Sequence, residues 1–359
     1  MVDWLNRIEV LDEPISLGSW IENQRTERKN EYMKELTEDR LMHNILQGNS
    51  KTHFRKSFLK DELRAQTPDK PMTGGKPRLI QGLANPYVQC YMGWFYTSIA
   101  KSMQKNFLYE AGTDKLSRFS FSSGMSNLKI GEWYATHKAL GATFYENDFS
   151  SFDSTQGFGC HLYEQFIYAF FIRKWFGLTE EDLKDVLDGK FNDPKTKLVK
   201  CWFDAFKSQK ESTGVTEFFH YVVNATRKSG DGNTSVGNSF LNCAANYAAI
   251  VSFLKTKSIS NPYDLVYVMA NGDDCLIAVT YYDLEGLESY AESYIAGLGL
   301  ESKFKKSGNR PTYCSSIFVQ VKHVQSEETT YVLVPEMTKF LSKCGFSIND
   351  LLRKEKSSD

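Results

Sequence analysis

Hydrophobic and polar positions along this chain follow two periods. Pro86 to Met103 is aromatic and apolar and predicts a packed helix. His161 to Phe176 predicts another, with Leu162, Phe166, Ala169, Phe170 and Arg173 at helical spacing, and its aromatic stripe reads as core. Small and apolar residues predict a long helix over Phe240 to Leu254, and Leu284 to Ile295 has helical spacing that Gly297 stops. Thr179 and Asp182 resemble the start of a capped helix, which Gly189 would end. The charged stretch Glu22 to Glu38 suits an exposed helix, and the Ser/Phe-rich stretch Ser117 to Ser126 reads as a loop. Strand patterns occupy Ala142 to Asp148 and Pro311 to Val321. The sharpest pattern is Val266 to Val279, VYVMANGDDCLIAV, where two apolar, β-branched runs flank Asn271-Gly272-Asp273-Asp274. It predicts a hairpin with both faces buried and two adjacent carboxylates at its turn. Like charges in such a place repel, and a divalent cation would relieve them.

Composition narrows the class. The 359 residues suffice for two or three sub-domains around a sizeable core, and 25 Phe and 19 Tyr make that core aromatic. A net charge of −1 argues against coating nucleic acid by bulk charge and leaves room for a local basic channel. The seven cysteines are scattered, odd in number and without a CxxC pair, which fits reduced thiols and not a zinc site or disulfide framework. The N-terminus has no signal-peptide pattern, and the longest apolar run, Phe240 to Leu254, is too short to span a bilayer.

From Lys51 to Arg78 the chain turns basic, with Lys60, Lys76 and Arg78 among its cations and prolines and glycines that make much of it loop rather than helix. Its end, GGKPRLIQG, sets Lys76 and Arg78 beside glycines, an arrangement that brings cations close to phosphates, although basic loops are also ordinary solvated surface.

Three acids stand out: Asp148 at a strand end, and Asp273 and Asp274 at the hairpin turn. Phosphoryl transfer to a nucleotide uses two divalent ions about 3.5–4 Å apart, and carboxylates suit Mg²⁺, which prefers hard oxygens. Asp148 alone could equally cap a helix. Asp153, five residues on, could accept a hydrogen bond from a sugar hydroxyl or cap the helix that follows, as could Ser154 or Thr155. The glycine-rich SGDGNTSVGNS supplies Ser229, Thr234 and Asn238 for reading a ribose, while Gly230 and Gly232 let the backbone approach a ligand. It is not a Walker loop, because no Gly-Lys-Ser/Thr follows.

In order, Asp148-x4-Asp153, Ser229-Gly230-x3-Thr234-x3-Asn238 and Gly272-Asp273-Asp274 resemble palm motifs A, B and C of viral RNA-dependent RNA polymerases of positive-strand RNA viruses. GGKPRLIQG resembles motif F, Lys303 falls where motif D carries its lysine, and Tyr313-Cys314-Ser315 resembles motif E, the primer grip. Motifs B, C and F are closest to tombusvirus-like enzymes, and motif A to the alphavirus and hepatitis E virus group. The resemblance covers Phe58 to Ser315, and Gly272 sets the chain apart from reverse transcriptases, which usually carry an aromatic residue before x-Asp-Asp.

The resemblance implies an α+β right-hand polymerase: an antiparallel palm sheet backed by helices, fingers and a short thumb. The segments expected are 1–141 (N-terminal segment and fingers, with motif F), 142–154 (palm, motif A), 155–226 (fingers insertion and palm helix), 227–315 (palm, motifs B to E) and 316–359 (a reduced or truncated thumb). The implied activity is template-directed RNA synthesis, with another palm-type nucleotidyl transferase such as a reverse transcriptase, or a non-catalytic RNA-binding replication protein, as alternatives. By resemblance Asp148 and Asp273 are the principal ligands of two Mg²⁺ ions, for which Mn²⁺ could substitute, and Asp274 is an auxiliary ligand. Asp153, Thr234 and Asn238 hold the ribose 2′-hydroxyl, Ser229 and Gly230 form the flexible loop that supports template and nucleotide, and Lys60, Arg78 and Lys76 contact triphosphate. Lys303 is either the proton donor to pyrophosphate or one lysine of a solvated cluster with Lys305 and Lys306, and Cys314 is a packed strand residue at the primer grip. Expected partners are template and nascent RNA, nucleoside triphosphates and other viral replication proteins, with replication on host cytoplasmic membranes that no segment here could anchor.

Overall fold

The computed structural model describes residues 14–35, 54–59, 79–81, 86–107, 118–188, 190, 211–215, 220–308, 310–322 and 329–341. Two short helices, α1 (Leu17–Glu22) and α2 (Thr26–Glu35), precede strands β1 (Phe54–Leu59) and β2 (Leu79–Gln81) and the long helix α3 (Pro86–Phe107). There follow β3 (Phe119–Phe121), α4 (Asn127–Ala139), β4 (Thr143–Phe149), the single turn α5 (Phe152–Thr155), α6 (Phe158–Phe176) and α7 (Glu180–Leu187). Then come β5 (Glu211–Val215), β6 (His220–Asn224), α8 (Thr234–Thr256), β7 (Val266–Asn271), β8 (Asp274–Val279) and α9 (Leu287–Gly297). Strands β9 (Ser302–Lys306), β10 (Thr312–Tyr313), β11 (Ser316–Lys322) and β12 (Thr329–Pro335) lead to α10 (Met337–Leu341).

The apolar runs around the Gly-Asp-Asp turn form the centre of a five-stranded sheet of order β3-β7-β8-β4-β9. Alternate side chains point to opposite faces of a strand, and here both faces are covered. Val266, Val268, Ala270, Ile277 and Val279 pack with Leu241, Ala245 and Ala249 of α8 and Ala291 and Ile295 of α9. Tyr267, Met269, Leu276 and Ala278 pack with Ile130, Trp133 and Tyr134 of α4 and with Phe318 and Leu333 of the sheet β10-β11-β12. Covering on both sides explains why these strands read as unbroken apolar runs. A fully buried Val, Leu or Ile contributes about 1.5–3 kcal/mol, so the hairpin's stems are among the most strongly anchored segments of the chain.

A second, more aromatic core joins α1 and α2 to α3 and α6, with Trp20, Phe95, Tyr96, Tyr168 and Phe171 at its centre. Phe95 meets Trp175 edge to face at 5.4 Å, a preferred arrangement for ring quadrupoles. The remaining sheet, β2-β1-β5-β6, unites the N-terminal strands with the pair that precedes α8. No described helix is long and apolar enough to cross a membrane.

Several expectations change. The central sheet is mixed, not antiparallel, because β3 runs parallel to β7 with Phe119 opposite Val268. That strand lies in the stretch 117–126 expected to be loop; three residues are too few to show a period of two, and pairing with β7 fixes the conformation. On α6 the buried face carries Ile167, Tyr168, Phe171 and Ile172, whereas Leu162 and Phe166 of the expected core stripe are exposed. This helix is apolar on nearly all sides, so spacing alone does not select its inner face. Helix α8 begins at Thr234, six residues before the expected start at Phe240. The α7 start is capped as expected: Thr179 Oγ1 accepts from the Asp182 N–H at 3.1 Å, and Asp182 Oδ2 accepts from the Thr179 N–H at 2.7 Å.

Candidate active site

The hairpin β7–β8 closes with Asn271 opposite Asp274, leaving Gly272 and Asp273 as a two-residue turn. Gly272 has φ +66°, which glycine adopts without the penalty a Cβ imposes. Helix α8 holds this turn entirely through its main chain. The Gly272 N–H donates to Ser239 Oγ at 2.8 Å, and Asn242 Nδ2 donates to the carbonyls of Gly272 and Asp273 at 3.1 and 2.8 Å. Asn242 Oδ1 accepts from Asn246 Nδ2 at 2.7 Å, and Asn246 Oδ1 accepts from Asn147 Nδ2 at 2.8 Å. All three asparagines are buried. Each amide thus orients the next, from β4 through α8 to the turn.

Asn147 precedes Asp148, and β4 sets where that acid stands. The β4–β8 pairing runs from Thr143 opposite Val279 to Glu146 opposite Leu276. Asp148 follows two residues after the last of these pairs, toward the same end of the sheet as the Gly272-Asp273 turn. Asp148, Asp273 and Asp274 are all exposed. The buried, repelling pair expected from the apolar stems is therefore not what the fold contains; the stems are buried and the carboxylates reach water. Among the described residues no three His, Cys, Asp or Glu side chains form a ready-made metal cage.

On the other side of Asp148, β9 sets Lys303 directly opposite it and Lys305 opposite Glu146. The lysine cluster is thereby divided: Lys305 lies 3.4 Å from Glu146, while Lys303 faces the acid at the site. Glu146 also accepts from the Thr312 N–H, Thr312 Oγ1 and Ser307 Oγ at 3.0, 2.6 and 2.9 Å. Burial pushes its pKa up, but these hydrogen bonds and the Lys305 charge outweigh that and hold it below the ordinary value.

A second polar cluster adjoins the first through α8. Asp153 accepts from Asn238 Nδ2 at 2.8 Å and from the Ser229 hydroxyl. Asn238 Oδ1 accepts from Gln156 Nε2 at 2.8 Å and Arg227 Nε at 3.0 Å, so the amide is oriented with its N–H groups toward Asp153. Arg227 is fixed in turn by Glu164. Its Nη1 donates to Oε1 at 2.8 Å, while Nη2 lies 2.7 Å from Oε2 as an ion pair without hydrogen-bond alignment. Both side chains are 1% exposed. Burial pulls the Arg227 pKa down, but the charge and hydrogen bonds of Glu164 outweigh it, so the pKa stands above its ordinary value. Tyr168 and Asn233 also donate to Glu164. Gly237 admits this pair beneath α8, since a Cβ there would lie 1.8 Å from Glu164 Oε1.

The structure thus brings Asp153, Ser229 and Asn238 together. Thr234 is used differently, because its hydroxyl bonds to the carbonyls of Lys228 and Asp231 at 3.0 and 2.9 Å and closes the loop that contains Gly230. Gly232 packs near Gly93 and Tyr96 of α3, so its close approach is to protein. Lys60, Lys76 and Arg78 lie outside the described residues. Glu164, Arg227, Gln156 and Asn242 were not singled out in the sequence. An Arg-Lys pair just before the glycine-rich loop and a polar residue inside an aromatic helix were the available signals.

Tyr313, Cys314 and Ser315 do not continue one strand. Tyr313 pairs with Ser316, leaving Cys314 and Ser315 as a two-residue turn with φ +49° and +55°. Positive φ at both positions is the type I′ pattern, usually made by Asn and Gly, so Cys-Ser gave no turn signal. Tyr313 is buried, with its hydroxyl 2.6 Å from Ser122 Oγ. Burial, with the Asp274 charge added, pushes the Cys314 thiol up to about 12, so it is a protonated packing group beside the β7–β8 hairpin.

A family model described as RNA dependent RNA polymerase matches residues 113–354, well over half of the chain. The RNA-directed RNA polymerase of Tobacco necrosis virus (strain A) is 30% identical over 150 residues, 36% of this chain and 19% of that protein.

Proposed function

Because the chain belongs to the RNA-dependent RNA polymerase family, we propose that it carries out template-directed synthesis of a viral RNA. The reaction is attack of an RNA 3′-hydroxyl on the α-phosphate of a nucleoside triphosphate, with release of pyrophosphate. The observation that carries this reading is the pairing of β4 with β8, which brings Asp148 to the same exposed end of a deeply buried sheet as Asp273 and Asp274. Such an end leaves carboxylates open to substrate while their backbones are held rigidly.

The donor set fits Mg²⁺. It consists of hard carboxylate oxygens, exposed and without a complete cage, as suits an ion held by one or two carboxylates together with water and substrate phosphates. When bound, two such ions, or Mn²⁺ in their place, supply activation of the attacking hydroxyl and neutralisation of charge on the leaving group. Asp148 and Asp273 are the principal ligands in this reading and Asp274 the auxiliary one. Asp153 and Asn238 meet the ribose 2′-hydroxyl, with the Asn238 amide held in one orientation by Gln156 and Arg227. Thr234 contributes by bracing the loop of Ser229 and Gly230. Lys303, opposite Asp148, donates the proton to pyrophosphate, and the turn 313–315 grips the primer end. Lys60, Lys76 and Arg78 contact the triphosphate. The sheet joining Phe54–Leu59 and Leu79–Gln81 with Glu211–Val215 and His220–Asn224 supports assigning these strands to one fingers unit, and the segment from 316 onward is the thumb.

Purified protein with an RNA template, Mg²⁺ and labelled nucleotides should yield product from ribonucleotides in preference to deoxyribonucleotides. Asp273→Ala should reduce the rate by about a thousandfold or more, some 4 kcal/mol of barrier. Product formation by that variant at the parent rate overturns the assignment, and a preference for deoxynucleotides would make the chain a reverse transcriptase instead.

A further inference from the structure

Glu146 lies two residues before Asp148 on β4, so both side chains leave the same face of the strand. The two acids differ in what they meet. Asp148 is exposed, whereas the Glu146 side chain is only 14% exposed and is engaged on both oxygens. Oε1 accepts from Ser307 Oγ at 2.9 Å and from the Thr312 N–H at 3.0 Å, while Oε2 accepts from Thr312 Oγ1 at 2.6 Å and lies 3.4 Å from Lys305 Nζ. An ionised carboxylate offers about four lone-pair sites, and these contacts occupy them. Glu146 is therefore not a further metal ligand but a fastening.

What it fastens is β10. Thr312 opens that strand and Tyr313 ends it, directly before the turn Cys314-Ser315. The two residues are held from opposite flanks of the β7–β8 hairpin. Thr312 is bound by Glu146 of β4, which adjoins β8, and Tyr313 meets Ser122, which follows β3, the neighbour of β7. Phe318 and Leu333 of the β10-β11-β12 sheet also share a core with Leu276 and Ala278 of β8, but such burial is non-directional. Hydrogen bonds have preferred angles, and they fix how one sheet sits on the other. Lys305 is 64% exposed, so its ion pair contributes little. The three hydrogen bonds from Ser307 and Thr312 are the effective hold.

We propose that Glu146 is a positioning residue for the growing RNA: it fixes the turn 313–315 relative to Asp148, so that the 3′ end gripped by the turn meets the carboxylates. Asp148 and Glu146 belong to one strand, so the acid and the grip move together, and a shift of β4 leaves their spacing unchanged. This role rests on the polymerase reading and on the turn's gripping the primer end, whereas the link from Glu146 to β10 does not.

The test uses the full chain with an annealed RNA primer and template, Mg²⁺ and one labelled ribonucleotide. Glu146→Leu removes every acceptor and should raise the KM for the primed duplex about tenfold, the scale of one or two lost hydrogen bonds, with the KM for nucleotide unchanged. Mere loss of folded protein would lower the maximal rate and leave both KM values alone. Glu146→Gln keeps an oxygen for the Thr312 N–H and an amide that can donate to Thr312 Oγ1, and it loses only the charge near Lys305. It should stay within about twofold of the parent. Thr312→Val removes one donor of the same link and should raise the KM for the duplex about threefold; it decides the matter if the melting curve shows Glu146→Leu unfolded. An unchanged KM for the duplex, an equal rise in the KM for nucleotide, or a Gln variant as impaired as the Leu variant overturns the role. So does a parent protein that copies template but leaves the annealed primer unextended. A parent that makes no RNA at all fails the polymerase reading, and the link is then read from stability: adding Thr312→Val to Glu146→Leu should leave the denaturant midpoint where Glu146→Leu put it, and additive losses overturn the link itself.

Discussion

The exposed carboxylates at the sheet end and the buried cluster around Glu164 and Arg227 both adjoin α8 and solve opposite problems. Asp148, Asp273 and Asp274 lie open to solvent. Glu164, Arg227, Asn238, Gln156 and Asn233 are buried and point their charges and amides at one another. In the proposed reading the first group meets substrate; the second determines where the first group's neighbours point. Changes in one should therefore show in activity, and changes in the other in stability.

The sharpest contrast comes from paired substitutions. Arg227→Ala leaves Glu164 buried without its counter-ion and should lower stability by about 3–5 kcal/mol, visible as a large drop in the denaturant midpoint. Asp148→Ala, at an exposed position, should change stability by no more than about 0.5 kcal/mol while abolishing incorporation. Equal midpoints for the two variants would erase the distinction.

Acid should strain the buried side chains. Burial lowers the pKa of His161, beside the Glu164 cluster, and of His137, on the opposite face of the sheet, to about 4. An imidazole in the unfolded chain takes its proton near about 6.5. Between those values the unfolded state binds more protons, so stability is complete above about 6.5 and declines as pH falls toward 4. The two groups together should withdraw about 2–3 kcal/mol between pH 7.5 and 5.5, and replacing either His with Gln should flatten the profile in chemical denaturation.

Smaller effects test the links between the regions. Asn242→Ala removes the donor to two turn carbonyls and should cost about 1–3 kcal/mol, lowering the maximal rate and leaving the KM for nucleotide alone. Gln156→Leu removes one of the two donors that orient Asn238. It should cost about 1 kcal/mol and reduce discrimination against deoxynucleotides severalfold; unchanged discrimination would detach Gln156 from ribose selection.

Much of the site was legible before the fold. Asp148, Asp153, Asn238 and the Gly-Asp-Asp turn stand out because turn chemistry, apolar flanks and spacing are local properties. The hairpin and the strand ending at Asp148 were visible for the same reason. What remained hidden depends on contacts between distant residues. Glu164 reads as a polar interruption of an aromatic helix until Arg227 is seen against it. The strand Phe119–Phe121 exists because β7 offers it an edge. The turn at Cys314 and Ser315 uses residues that rarely take positive φ, so packing overrides local preference there.

The clamp on the hairpin turn touches only main-chain atoms: one N–H received by Ser239 and two carbonyls bound by Asn242. It is therefore blind to which side chains the turn carries. A lineage could lose both acids in single steps and inherit the same fold, the same helix and the same oriented asparagines. Shape in such a descendant would be no guide to activity, and an inactive copy could persist as a folded decoy whose only mark is the identity of two exposed residues.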